Sequence, residues 1–226
     1  IINHNLGSAP GCVIVKCTSS DTPWWVWHRD NGGTTDLTGI QLNLAAASAY
    51  PNAGVAGNFT ATTFSTGSLL NVGLNQFPNS TEQIYVAYLF AHNAGGFGDD
   101  GEQNIISCGS YTTNGDGEAE VNLGWEAQFT IIKQSDGANA WRINDSMRGA
   151  PVGQTQKKLL SANTADAESN SSEGAYPTAT GFAVSGHATF SNYIYIAIRR
   201  PMKTPESGTE VFAIDTSGAT APTPPA

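Results

Sequence analysis

The sequence predicts an all-β protein, a β-sandwich of jelly-roll type, and both its composition and its strand pattern point there. The chain has 226 residues; only 13% are charged, while 25 are glycine and 11 are proline. Few charges and many turn-forming residues are typical of short strands joined by frequent turns, and they argue against helical bundles and coiled coils. A chain of this length can bury a substantial core, as one large domain or two small ones.

The predicted strands are short segments rich in valine, isoleucine and aromatic residues, bounded by glycine, proline or asparagine. They cover residues 12–17, 24–28, 62–65, 84–90, 105–111, 128–133, 140–144, 181–185 and 193–200, with weaker patterns at 40–44 and 157–161. Their number and spacing favour packed antiparallel sheets.

An internal duplication organises the chain. Residues 5–7 (NLG), the Ile-X-Lys of residues 14–16 and Trp24 recur 117 residues later, at residues 122–124, residues 131–133 and Trp141. Phe64 and Phe182 match at an offset of 118, and residues 84–88 match residues 194–198 at an offset of 110. We therefore expect two tandem copies of a module of about 110 residues, at 1–96 and 97–203, followed by a proline-rich linker or docking tail at 204–226. The pattern leaves open whether the copies form two sandwiches or one.

The duplication also predicts a strand that the first copy does not contain. The strand at 105–111 precedes the second copy, so its counterpart in the first copy would lie before Ile1. Either an omitted segment or a neighbouring chain would then supply the missing strand at that sheet edge.

The repeat separates the two faces of the strand that carries three of the five tryptophans. Side chains alternate along a strand, so Trp25 and Trp27 share the face opposite Trp24. The second copy has tryptophan at position 141 but polar residues, Arg142 and Asn144, on the other face. We therefore expect Trp24 and Trp141 in the core and the face of Trp25 and Trp27 in solvent.

Two indoles on a solvated face would form a platform on which pyranose rings stack. His28, Arg29 and Asp30 follow at once and would hydrogen-bond sugar hydroxyls, which predicts a glycan site at Trp25, Trp27, His28, Arg29 and Asp30. The alternative is that the second copy, a loop or a neighbouring subunit covers the two indoles. Arg29 and Asp30 would then be an ordinary solvated ion pair.

A glycine-rich acidic loop, residues 97–104, offers oxygen ligands of the kind that Ca²⁺ prefers. Asp99, Asp100 and Glu102 are the candidate ligands, although the loop lacks regular calcium-loop spacing and its acids would also suit a simple turn. We expect no other cofactor, since the four histidines show no metal-binding spacing. The three cysteines, Cys12, Cys17 and Cys108, are expected to be free and buried.

Charge and hydropathy exclude two classes of partner. Ten basic and nineteen acidic side chains leave a formal net charge of −9, which repels nucleic acids. No apolar run reaches the roughly 18–20 residues that a membrane-spanning helix needs, so we expect no membrane insertion.

Five phrases of the chain resemble a family of phage proteins. They are residues 5–16 (NLGSAPGCVIVK), 25–28 (WVWH), 106–115 (ISCGSYTTNG), 141–149 (WRINDSMRG) and 193–201 (YIYIAIRRP). Together they are similar to tandem-repeat tail or fibre proteins of tailed phages, particularly marine ones, which have lectin-like (concanavalin-type) β-sandwich repeats. The doubled Trp24-Trp25 and residues 112–115 depart from the pattern of that family.

The resemblance implies a structural and adhesive module of the virion, on a tail fibre, baseplate or surface appendage, and therefore an extracellular location. The implied partners are other virion chains, further copies of this chain and host-surface glycans; no catalytic residue is implied. One alternative is a polysaccharide-degrading tail enzyme, for which Glu118 with Glu120, or Asp166 with Glu168, would supply paired carboxylates. The other is a purely architectural cement or decoration protein.

Overall fold

The protein is all-β, as the sequence predicts. The structure is a computed structural model, and it describes residues 2–31, 40–46, 60–64, 83–98, 100–150 and 156–199. Within these ranges the regular elements are fifteen strands and no helix. The strands are β1 (Ile2–Asn3), β2 (Pro10–Cys17), β3 (Trp25–His28), β4 (Ile40–Gln41), β5 (Thr63–Phe64), β6 (Tyr85–Ala91), β7 (Ile106–Thr112), β8 (Ala119–Asn122), β9 (Phe129–Gln134), β10 (Arg142–Asp145), β11 (Lys157–Ser161), β12 (Ser169–Ser171), β13 (Gly174–Thr178), β14 (Gly181–Ser185) and β15 (Asn192–Ile198).

The strands form four antiparallel sheets. The largest has the order β12-β11-β10-β9-β15-β7, and a second has the order β4-β3-β2-β6. A three-stranded sheet, β13-β14-β8, and the pair β1-β5 complete the set. We call the first two the six-stranded and the four-stranded sheet. Among the described residues no helix is long and apolar enough to span a bilayer.

The six-stranded sheet is a middle layer with a core on each face. Because side chains alternate along β15, Tyr195 enters one core and Ile196 the other. The first core lies against the three-stranded sheet and includes Ile132 and Phe182. The second lies against the four-stranded sheet and includes Cys12, Ile14, Val26, Ile40, Cys108, Trp141, Ile194 and Ile196. The β-sandwich prediction is confirmed.

The two predicted copies share a buried cluster, the second core. The boundaries of the copies stay a prediction, and the predicted tail at 204–226 lies outside the described residues.

The four-stranded sheet and part of the six-stranded sheet follow the same order of strands. The order β4-β3-β2-β6 parallels β11-β10-β9-β15. Ile14 pairs with Val26 on one side and Tyr88 on the other, as Ile131 pairs with Ile143 and Ile196. A tandem duplication would produce this correspondence, and the duplication itself stays a prediction.

For the last block of the repeat, residues 84–88, the strand pairing gives a different alignment between the two halves from the one that the sequence gives. Strand pairing makes Tyr88 equivalent to Ile196, an offset of 108, whereas sequence matching makes it equivalent to Ile198, an offset of 110. The shift is two residues, so every side chain keeps its face. The sequence match aligns similar residues, whereas the structural match aligns residues that pair with equivalent positions of β2 and β9.

Candidate functional site

The predicted glycan platform is largely buried. Trp25 is 6% exposed and Trp27 is half-buried, so the expectation that their face is solvated is wrong for Trp25. The reason lies in the equivalent residues of the second half. Asn144 is buried with hydrogen bonds at both ends of its amide, and the Arg142 guanidinium donates to both carboxylate oxygens of Glu173, at 3.0 and 2.7 Å. These polar side chains are fully partnered inside the sandwich, so their polarity did not indicate solvent.

His28 joins the two halves and does not face solvent. Its Nε2 donates to the backbone oxygen of Tyr195 at 3.0 Å, and its Nδ1 accepts from the backbone N–H of Asp30 at 3.2 Å. Burial lowers the pKa of His28 to about 4, so the imidazole is neutral near pH 7. Of the predicted site, Arg29 and Asp30 remain at the surface, where they form an exposed ion pair with an N···O distance of 3.5 Å.

Trp24 and Trp141 pack in one cluster, which confirms their assignment to the core. Trp141 is buried and its indole N–H donates to the backbone oxygen of Gln41, across the junction of the halves, at 3.0 Å. Trp24 is half-buried against the same cluster and stacks on Tyr88, with ring centroids 6.2 Å apart.

The acidic loop is organised as a turn by its own backbone. Gly96 N–H donates to Gly101 O at 2.7 Å, and Phe97 and Gln103 form a bridge. Asp100 Oδ1 accepts from the backbone N–H of Glu102 at 3.4 Å, and both side chains are exposed. Asp99 lies outside the described residues, and those that are described hold no group of three or more potential metal ligands. The contacts of Asp100 are those of a turn residue, and the calcium site stays a prediction.

The three cysteines are buried and unpaired, as predicted. Burial raises the pKa of Cys12 and raises that of Cys108 to about 12, so neither thiol ionises near neutral pH. The paired acids are surface residues: Glu118, Glu120, Asp166 and Glu168 are all exposed, and Glu168 forms an ion pair with Lys158 at 3.6 Å.

A groove that the sequence did not predict lies at one end of the six-stranded sheet, where β9 begins and β10 and β15 end. Two backbone bonds of 2.9 Å hold this end together, from Ser146 N–H to Gln128 O and from Gln128 N–H to Ile198 O. The volume of the groove is about 440 Å³. Its lining combines apolar, amide, hydroxyl and charged groups: Gly124, Trp125, Glu126, Gln128, Ser146, Met147, Ala179 and Arg199.

The groove holds an arginine that has no carboxylate partner among the described residues. The side chains of Arg29, Arg142 and Arg148 each pair with a carboxylate, whereas Arg199 has no carboxylate within 4.0 Å in the part of the chain that the structure describes. Trp125 borders the groove but is 6% exposed and packs in the first core, where its Nε1–H is buried and has no acceptor among the same residues.

The groove was missed because four separate segments of the chain build it. One signal was available: residues 122–124 repeat residues 5–7, but Trp125 follows them where Ser8 follows in the first copy. A large aromatic residue added to one copy of a repeat marks a surface that differs between the copies.

Comparison with known proteins gives one match. A family model described as a domain of unknown function, DUF7483, matches residues 1–200. No curated protein and no solved structure matches the chain significantly. Because the match covers most of the chain, the protein belongs to the DUF7483 family.

Proposed function

We propose that this protein is a non-enzymatic adhesive module of a phage virion, and that the groove beside Trp125 binds a saccharide of the host surface. The observation that carries the proposal is the lining of that groove, which sets the thioether of Met147 and the edge of the Trp125 indole beside Glu126 and Arg199. The virion setting rests on the sequence resemblance.

The groove suits the chemistry of a sugar. A pyranose ring offers an apolar C–H face and a ring of hydroxyls that both donate and accept. Met147, which is 78% exposed, supplies most of the apolar surface, and Trp125 adds only its edge, since 6% of it is exposed. Arg199 supplies donors and Glu126 supplies an acceptor. A volume of about 440 Å³ lies within the range of small-molecule sites and accommodates one or two sugar units.

The same lining favours binding over hydrolysis. Most glycoside hydrolases use two carboxylates on either side of the scissile bond. The described residues that line the groove include one carboxylate, that of Glu126. The enzyme alternative predicts reducing-sugar release from host envelope polysaccharide, and the adhesive module predicts none.

The test is saccharide binding by wild type and two arginine variants. Arg199→Ala should weaken binding of host-surface polysaccharide fragments about tenfold or more in calorimetry, because hydrogen bonds to a charged group contribute about 1.5–3 kcal/mol. Arg29→Ala is the matched control: it removes an exposed arginine from the segment that the sequence predicted, and it should leave affinity unchanged. Loss of binding in Arg29→Ala with none in Arg199→Ala would move the site to residues 25–30.

The virion assignment has its own test. Mass spectrometry of purified particles of the phage that encodes the chain should detect the protein among the structural components. Several copies on one particle would multiply a weak single-site affinity, so intact particles should bind host polysaccharide far more tightly than the isolated chain. Detection only in lysates, with none in purified particles, would contradict the assignment.

A further inference from the structure

Strand β6 ends the four-stranded sheet with an open edge. Its partner on one side is β2, and no strand among the described residues pairs with its other side. The segment from Val86 to Phe90 forms no backbone hydrogen bond beyond that pairing within the described part of the chain. We call the outer side of this segment the β6 edge.

The equivalent strand in the six-stranded sheet shows what such an edge can hold. Strand β15 takes the place beside β9 that β6 takes beside β2, and β7 pairs with its other side over seven residues. Ile196 pairs with Cys108 of β7 and is 2% exposed, whereas Tyr88, at the equivalent position, is 48% exposed. A strand of the β7 kind therefore pairs in one sheet with the edge that no described strand pairs with in the other.

In its own sequence the β6 edge carries neither the charges nor the prolines that usually protect an edge from strand addition, and no described strand covers it. Natural edge strands are kept short or carry charges, prolines or bulges, because an open apolar edge otherwise pairs with another chain. The sequence of β6 is YVAYLFA, seven residues without charge or proline. Of the other edge strands, β4 has two residues, β12 is the polar tripeptide SNS and β13 contains Pro177. The edge strand β7, ISCGSYT, resembles β6 in having no charge or proline, but it is the more polar of the two.

We propose that the β6 edge binds an extended, uncharged β-strand supplied by another protein chain, as an antiparallel strand in the position that β7 occupies beside β15. Backbone hydrogen bonds to Val86–Phe90 would provide most of the affinity, as in other complexes formed by strand addition. The proposal goes beyond saccharide binding, and the β6 edge shares no residue with the groove beside Trp125.

The side chains of β6 define which strand fits. In the β7–β15 pair Gly109 stands opposite Tyr195, and a Cβ at Gly109 would collide with the Tyr195 ring. Ala87 takes the place of Tyr195 in the four-stranded sheet, since both pair with equivalent residues, Val15 and Ile132. The incoming strand can therefore carry a large side chain opposite Ala87, and a β-branched residue there also favours the extended conformation.

The experiment uses peptides with the sequence of residues 105–113, with Cys108→Ala and lysines added at both ends for solubility. Amide hydrogen exchange is measured on the whole protein with and without peptide. The expected result is saturable binding that slows exchange in Val86–Phe90 about tenfold or more, because the outward amides gain partners. The Gly109→Val peptide should bind more tightly than the parent, and a peptide with Gly109→Pro and Tyr111→Pro should not bind.

Two protein variants complete the test. Tyr88→Lys places a charge on the half-exposed centre of the edge and should abolish peptide binding, with the fold checked by circular dichroism. Ile84→Lys adds the same charge at an exposed position just before the strand and should bind normally. Unchanged exchange on adding peptide, or equal binding by Tyr88→Lys, would overturn the proposal.

Two further outcomes would distinguish this proposal from a contact between copies of the chain and from the saccharide site. Protection of the same amides by rising protein concentration alone would assign the edge to a second copy and overturn the proposal. Peptide binding without saccharide binding would leave the β6 edge standing and reject only the groove.

Discussion

Asn144 ties two sheets together through the two ends of its side-chain amide. The side chain is 2% exposed; Nδ2 donates to Lys158 O of β11 at 2.9 Å, and Oδ1 accepts from Ala175 N of β13 at 3.0 Å. Asn144→Ala would leave a buried N–H and a buried carbonyl without partners. We expect a loss of about 2–4 kcal/mol in the free energy of unfolding, measured with urea.

Asn170→Ala is the control for that change, because Asn170 is an exposed residue of β12 and its loss should stay within about 0.5 kcal/mol. Similar values for the two variants would show that the Asn144 amide does not hold the sheets together.

Asn144 also shows why the sequence alone did not predict which face of the strand is buried. The polar residue at position 144 led us to predict that the equivalent Trp27 faces solvent. A polar side chain can nevertheless be buried when both of its ends are hydrogen-bonded. The sequence of one strand does not show these partners, because they lie on other strands.

A lysine, buried at Lys133 and half-buried at Lys16, holds together the end of each β-hairpin that starts a half of the molecule. Lys133 Nζ donates to Gln134 O at 2.7 Å and Gly137 O at 3.1 Å. Lys16, which is 117 residues earlier, donates in the same way to Cys17 O and Thr22 O, at 2.9 and 2.8 Å. Burial lowers the pKa of Lys133 to about 8, so it is still mostly protonated at pH 7 and donates as a cation.

Lys133→Met keeps the apolar stem and removes the donors. We expect it to reduce the free energy of unfolding by about 2–4 kcal/mol, since two carbonyls of the turn lose charge-assisted bonds. Lys158→Met is the matched control: among the described residues the polar contact of the Lys158 side chain is a surface ion pair with Glu168, so its loss should cost less than about 1 kcal/mol. Thermal unfolding of both variants checks the prediction, and equal midpoints would refute it.

Individual strands were predictable where β-branched and aromatic residues follow one another. β2, β6, β7, β9, β14 and β15 all lie within or around predicted segments. β8, β12 and β13 were not predicted, because sequences such as AEVN and SNS have little strand preference of their own. Pairing with β14 or β11 makes them strands, and pairing between distant segments does not appear in local composition.

The molecule is built around the six-stranded sheet, which separates two cores and brings the halves together. The Trp24 and Trp141 cluster was predictable, since it follows from alternation and the repeat. The groove beside Trp125 was not, because turns from four places in the sequence meet at one end of that sheet. Its charges were visible in the sequence, but the lack of a carboxylate partner for Arg199 depends on which side chains are neighbours in space.

Two buried histidines, one in each contact region of the middle sheet, make the stability of the whole molecule depend on pH. Burial lowers the pKa of both His28 and His187 to about 4, against an ordinary value of 6.5. Arg142 and Lys157 add to the effect at His187, whereas the hydrogen bond of His28 to Tyr195 O opposes it. As the pH falls from 6.5 towards 4, the unfolded chain takes up a proton at each histidine and the folded protein does not, so stability is lost over this window and is full above it.

The expected loss is on the order of 2 kcal/mol for each histidine by pH 5, a large part of the stability of an ordinary domain. Thermal unfolding between pH 7.5 and 4.5 should therefore show a midpoint that falls steeply below pH 6.5. The double variant His28→Gln, His187→Gln removes both groups, so its midpoint should fall much less steeply over the same range, whatever its starting value; His92, whose pKa burial also lowers, accounts for part of the slope that remains. A wild-type midpoint that stayed constant to pH 5, or a double variant that kept the full slope, would show that protons enter elsewhere, because only a group whose affinity for protons differs between the folded and unfolded chain can produce the slope.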